Sequence, residues 1–109
     1  MKVELLYFDS CPSYEALLPR VRDLLAEAGV RDGIELRRVE THQAAVAERF
    51  LGSPTLRVDG VDVDPGAGER DDFGLKCRLY SGPSGLSGVP DDAWIRAAVG
   101  PRQSPGRSR

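Results

Sequence analysis

Long apolar runs are missing from this chain: nowhere do consecutive apolar residues approach the roughly 18 that a membrane-spanning helix requires. A basic segment leading into a long apolar stretch is missing from the amino terminus too, where a strand-like pattern begins almost at once, so no membrane association is expected and the expected compartment is the cytoplasm. Cysteine is scarce, at two residues, which excludes a disulfide-rich scaffold. With no export signal, free thiols, catalytic groups or metal ligands are the expected uses of those two rather than a structural staple. Histidine occurs once, at His42, and with two cysteines it cannot complete a typical zinc set unless carboxylates join; a surface or capping place is expected for it. An excess of positive charge is also lacking. The formal net charge is -2, and residues 1–101 hold 12 bases against 17 acids, a net of -5. That acidic body lacks the electrostatic footprint of a nucleic-acid binder. Internal repeats are absent, and the pattern calls for no cofactor.

What is present suits one globular domain. A chain of 109 residues should bury roughly two-thirds of the surface its unfolded form exposes. Its 12 glycines and 8 prolines point to several tight turns. The expected domain covers residues 1–100. Residues 101–109 carry Arg102, Arg107 and Arg109 with no apolar anchor, and are expected to form a flexible basic tail. One tryptophan and no obvious exposed apolar stripe favour a monomer.

Val3-Glu4-Leu5-Leu6-Tyr7-Phe8 has the composition of a strand covered on both faces. Asp9-Ser10-Cys11-Pro12 breaks it, with Pro12 expected at the first helical position and Cys11 at or beside the cap. Tyr14, Leu17, Leu18, Val21, Leu24, Leu25 and Ala28 then recur at helical steps until Gly29, with Pro19 inside the helix. Ile34 to Val39 alternates as a second strand, Ile34 and Leu36 inward, and the long crossover requires parallel pairing. Thr41 is expected to cap a short helix carrying Ala44, Val46, Ala47, Phe50 and Leu51 and ended by Gly52. Leu56-Arg57-Val58 and Val61-Asp62-Val63 flank Asp59-Gly60, a hairpin signal. Asp64 to Asp72 reads as a solvated acidic loop. Phe73 to Tyr80 is ambiguous between alternation and a helical turn, Ser81 to Gly88 reads as a loop, and Pro90-Asp91-Asp92 starts a last helix ending at Gly100-Pro101.

A thiol at a helix amino terminus faces unpaired N–H groups and the positive end of the aligned peptide dipoles, both of which favour the thiolate; a buried inert cysteine is the bland alternative. Val3 to Phe8, Cys11-Pro12-Ser13-Tyr14 opening a helix, and Ser53-Pro54-Thr55 directly before the hairpin resemble the thioredoxin-like superfamily over about residues 2–100. That resemblance implies an α/β fold with a central mixed four-stranded sheet, βαβα then ββα, flanked by helices. It also implies a cis Pro54, with the Ser53 and Thr55 backbone flanking Cys11 as the nucleophile. Tyr14 stands where dithiol members carry their second cysteine, so a dithiol cycle confined to that motif is impossible. Tyr14 can instead donate its hydroxyl to a substrate or sulfenate, or pack in the core with a polar tip.

Asp71-Asp72-Phe73-Gly74-Leu75-Lys76-Cys77-Arg78-Leu79-Tyr80 is similar to small bacterial thioredoxin-like proteins often labelled alkylmercury-lyase-like. Lyases of that kind use two cysteines and an aspartate to protonate a carbon–mercury bond. Cys11 and Cys77 match the thiols, whereas no aspartate follows Cys11 closely and Asp9 precedes it. The functions in view are a thiol-based oxidoreductase or thiol-transfer protein acting on a small thiol or protein thiol, a binding protein holding a soft metal (Hg, Cu, Zn) on Cys11 and Cys77 or docking a protein partner, and organomercurial-lyase-like activity. In the proposed fold the chain returns towards the strand end that carries Cys11, and a loop bending through Gly66, Gly68 and Gly74 can bring Cys77 within the Cα spacing of about 4.4–6.8 Å that a disulfide needs. The competing reading makes Cys77 a buried packing residue in an alternation with Phe73, Leu75 and Leu79. Arg78 is expected to pair with the nearby acids or to lower a thiol pKa.

Overall fold

Strand β1, Val3–Tyr7, runs through the middle of the molecule because its apolar groups alternate between two covered faces. The computed structural model describes residues 1–83 and 85–100, so the expected basic tail at 101–109 lies outside the described residues. After β1 come helix α1, Ser13–Glu27; strand β2, Ile34–Arg38; helix α2, His42–Ala47; strands β3, Thr55–Val58, and β4, Val61–Asp62; strands β5, Tyr80–Gly82, and β6, Gly85–Ser87; and helix α3, Asp92–Val99. The main sheet has the order β2-β1-β3-β4. β2 lies parallel to β1, Val3 opposite Ile34 and Tyr7 opposite Arg38, while β3 is antiparallel, Val3 opposite Val58 and Leu6 opposite Thr55. This mixed sheet flanked by helices is the expected βαβα-then-ββα architecture and is consistent with a thioredoxin-like fold.

On one face Val3, Leu5, Leu56 and Val58 meet Leu17, Val21 and Leu24 of α1 and Ile95 and Val99 of α3. On the other, Leu6 meets Val39, Ala45 and Phe50 under α2. Gly29, at φ 76°, ends α1: the Val30 N–H donates to Leu25 O and the Gly29 N–H to Ala26 O, so the last carbonyls are satisfied without a side chain. Asp59 and Gly60, at φ 52° and 82°, make the tight β3–β4 turn that this dipeptide signals.

Several local expectations are corrected. Pro12 is the N-cap of α1 rather than its first helical residue, which leaves Cys11 one position outside the helix. Leu36 is 47% exposed instead of inward, because β2 is an edge strand and α1 lies over β1. α2 is capped by Thr41 as expected, whose hydroxyl accepts from the Ala44 N–H at 3.0 Å, yet it stops well before Gly52. Arg49 turns left-handed at φ 55°, and the Phe50 N–H donates to Ala45 O at 2.8 Å. Burying Phe50 in the core therefore outweighs a further helical turn and the cost of about 1 kcal/mol for a non-glycine residue in that conformation. Val46, read as part of the apolar face, is 48% exposed. Ser81 to Gly88 contains the β5–β6 ribbon rather than loop alone, Tyr80 opposite Ser87 and Ser81 opposite Leu86.

Candidate functional site

The site is assembled where β1 ends. Beyond Tyr7 the chain turns, the Cys11 N–H donating to Phe8 O at 3.0 Å, and Cys11 stands directly before the α1 N-cap with 1% of its surface exposed. Pro12 has no side-chain acceptor to close off the first-turn amides, and Cys11 stands at this uncapped, positive end of α1. The antiparallel β1–β3 pairing brings the residues before Thr55 to the same end of the sheet. There the Ser53–Pro54 peptide bond is cis, as the resemblance implied, and Ser53 O lies 3.6 Å from Cys11 Sγ. Ser13 Oγ lies 3.9 Å from the same sulfur.

The third strand of chain comes from 66 positions further on. The Ser53 N–H donates to Lys76 O at 2.8 Å and the Arg78 N–H to Ser53 O at 2.9 Å, an isolated parallel bridge that sets Cys77 beside Ser53. Cys11 and Cys77 form a disulfide with their Cα atoms 5.6 Å apart. The reading of Cys77 as a buried packing residue is thereby overturned. Cys77 is exposed and Leu79 is 65% exposed, whereas Arg78 and Tyr80 point inward, so the alternation exists with the opposite face buried.

Arg78 explains the inversion. Its side chain is fully buried, bonded to Asp62 at 2.8 and 3.2 Å, to Asp64 at 3.3 Å and to Thr55 Oγ1 at 3.1 Å, and its guanidinium lies 4.3 Å over the Tyr80 ring. A buried guanidinium is tolerated only with such partners, and here two carboxylates balance it. The acidic loop is accordingly more than a solvated face: Asp64, with Asp62 of β4, holds this cation, and Asp72 binds Arg70 and Lys76. Arg70 first and Lys76 second hold the Asp72 carboxyl well below the usual carboxylate range. The Tyr80 hydroxyl donates to Pro54 O, and burial pushes its pKa far up, so it stays a neutral donor. Gly52, at φ 129°, completes the joint, because a Cβ there would stand 3.0 Å from Arg78 Cβ and 3.1 Å from Lys76 O.

Of the residues singled out in the sequence, Cys11, Cys77, Pro54 and Thr55 come together. The Thr55 hydroxyl is committed away from the sulfurs, donating to Gly52 O at 2.6 Å and accepting from Arg78. Tyr14 packs on Tyr7, rings stacked at 4.2 Å and 24°, with its pKa raised by burial first and by Glu15 next. Asp9 is taken up by Arg38 at 2.8 Å, and His42 is exposed at the start of α2. Among the described residues no group of three or more His, Cys, Asp and Glu is placed to hold a metal ion, and no helix is long and apolar enough to cross a membrane. A cleft of about 480 Å³ lined by Arg49, Arg57, Val61, Pro65 and Phe73 lies apart from both cysteines.

Tyr80 and Gly52 were missed in the sequence. Nothing local announces the Tyr80 bond to Pro54 O. Asp62 and Asp64, two apart and therefore on one side of an extended strand, were a usable signal for a cation between them. No family model, no curated protein and no solved structure matches the chain. The class is therefore defined by architecture and site alone: an α/β domain of thioredoxin-like arrangement with a disulfide joining the helix end to a distant loop.

Proposed function

We propose that the protein is a thiol–disulfide exchange protein whose Cys11–Cys77 pair cycles between disulfide and dithiol, with a small thiol or a protein thiol as partner. The observation that carries this reading is the placement of a disulfide against the open amino terminus of α1, beside Ser53 and Pro54. On reduction the helix end and the Ser13 hydroxyl favour the Cys11 thiolate, and a stabilised thiolate makes a disulfide easier to open. The test is incubation of the oxidised protein with glutathione and of the reduced protein with glutathione disulfide, followed by peptide mapping. Both directions are expected to proceed and to stop with either Cys→Ser change. A pair that resists a strong dithiol in the folded state would be a structural staple and would end this reading.

Soft-metal binding is a second reading, favoured by the same 5.6 Å Cα spacing, since the two reduced thiolates would form a two-coordinate pair for Hg(II) or Cu(I). Stoichiometric uptake needing both cysteines, without exchange, would select it. Carbon–mercury cleavage is less well supported because its acid is lacking: Asp9, the nearest candidate in sequence, is occupied by Arg38.

A further inference from the structure

The geometry points to Cys77, rather than Cys11, as the sulfur that meets the partner thiol, with Cys11 as the buried leaving group; this rests on the exchange reading above. Thiolates attack a disulfide in line with the sulfur–sulfur bond, from the side opposite the departing sulfur. Attack on Cys11 would require approach through the protein, because Cys11 is 1% exposed and is packed beside Ser53 O and Ser13 Oγ. Cys77 is exposed, with the exposed Leu79 two residues away. Burial and charge stabilisation agree: the cysteine on the exposed segment is the one without the helix end, and the sulfur beside the helix end is the one that gains by leaving as an anion.

The step balances as an ordinary exchange. The partner thiolate forms a bond to Cys77 Sγ with its own electron pair. The Cys77–Cys11 bond breaks, and its pair passes to Cys11 Sγ as thiolate. A second partner thiolate then attacks the mixed disulfide, releasing the partner disulfide and a Cys77 thiolate. Two partner thiols are thus oxidised to one disulfide while the protein takes up two electrons. In reverse, Cys77 opens the partner disulfide and Cys11 closes the protein ring. The helix-end cysteine therefore resolves rather than initiates, which exchanges the roles expected from the sequence.

The test uses the oxidised wild-type chain, so no variant has to fold. It is mixed for seconds with a large excess of glutathione, quenched in acid, blocked with N-ethylmaleimide and digested without reduction. Glutathione is expected on the Cys77 peptide with maleimide on the Cys11 peptide, in roughly tenfold excess over the converse. Glutathione mainly on Cys11, spread evenly, or on neither while the disulfide is lost, overturns the order of attack and leaves exchange standing. A disulfide that opens with neither glutathione nor dithiothreitol removes the exchange reading and this one together.

Discussion

The sheet with α1 and α3 and the segment from Lys76 to Gly82 are held by different physics. In the first, Leu5, Leu17, Leu56 and Ile95 are all fully buried and make contacts that are non-directional and interchangeable. In the second, one guanidinium, two carboxylates, a backbone bridge and a disulfide fix the chain, and Leu79 stays exposed at 65%. Apolar burial tolerates variation and governs global stability. A polar joint specifies one position and fails as a unit when one member is lost.

Leu5→Ala should break the first region and show the larger effect, lowering the free energy of unfolding by roughly 2–5 kcal/mol in urea titration. The Cys11–Cys77 disulfide should still form below the transition. Arg78→Leu should break the second: Asp62 and Asp64, both mostly buried, would then face each other without a cation. Their residual exposure discounts the loss to about 2–3 kcal/mol, below the range for a wholly buried pair. The discriminating readout is local, since amide exchange at Ser53 and Arg78 should accelerate more than at Leu5; uniform acceleration would show that the two regions are one cooperative unit.

Gly52→Ala sharpens the comparison with a smaller perturbation. The added methyl meets backbone and Arg78 Cβ at 3.0–3.2 Å in a conformation that L side chains rarely adopt, so a cost of roughly 1–3 kcal/mol is expected. Its disulfide should open faster towards glutathione than the wild-type one, because the 76–78 segment is pushed from Ser53. The smallest effect belongs to Asp72→Asn, within about 1 kcal/mol, since the carboxylate is half exposed and solvent screens its pairs. The sign follows from its depressed pKa: the stabilisation is present above the unfolded value of about 3.9 and is lost as pH falls towards the folded one. Urea midpoints of wild type and Asp72→Asn should therefore differ at pH 6 and converge in strong acid.

The same division decides what was legible in the sequence. The first strand, read as Val3 to Phe8 and found at Val3–Tyr7, the stripe of α1, the Gly29 stop and the Asp59-Gly60 turn are local patterns in which propensity and burial agree. Leu36 was misplaced because alternation does not say whether a strand is central or at an edge. The cis Pro54 came from resemblance rather than from any local energy term. For Cys77 the sequence leaves two readings open, a partner for Cys11 and a packing residue, since apolar Leu75 and Leu79 argue for burial of the odd positions. A buried arginine reversed that face, and its reason is tertiary: the carboxylates of Asp62 and Asp64 were waiting on the other side of a turn.

The two hydrogen bonds that flank Cys77, through Lys76 O and the Arg78 N–H, both end on Ser53. Neither bond involves a sulfur, so cleaving the disulfide is expected to leave both in place and to keep the separated sulfurs close. The effective concentration of one sulfur at the other should then stay high, so that only a large excess of dissolved thiol competes with reclosure. Under the proposed exchange, a partner adduct on Cys77 would be short-lived in the wild-type chain, and Cys11→Ser, which removes the internal competitor, should prolong it.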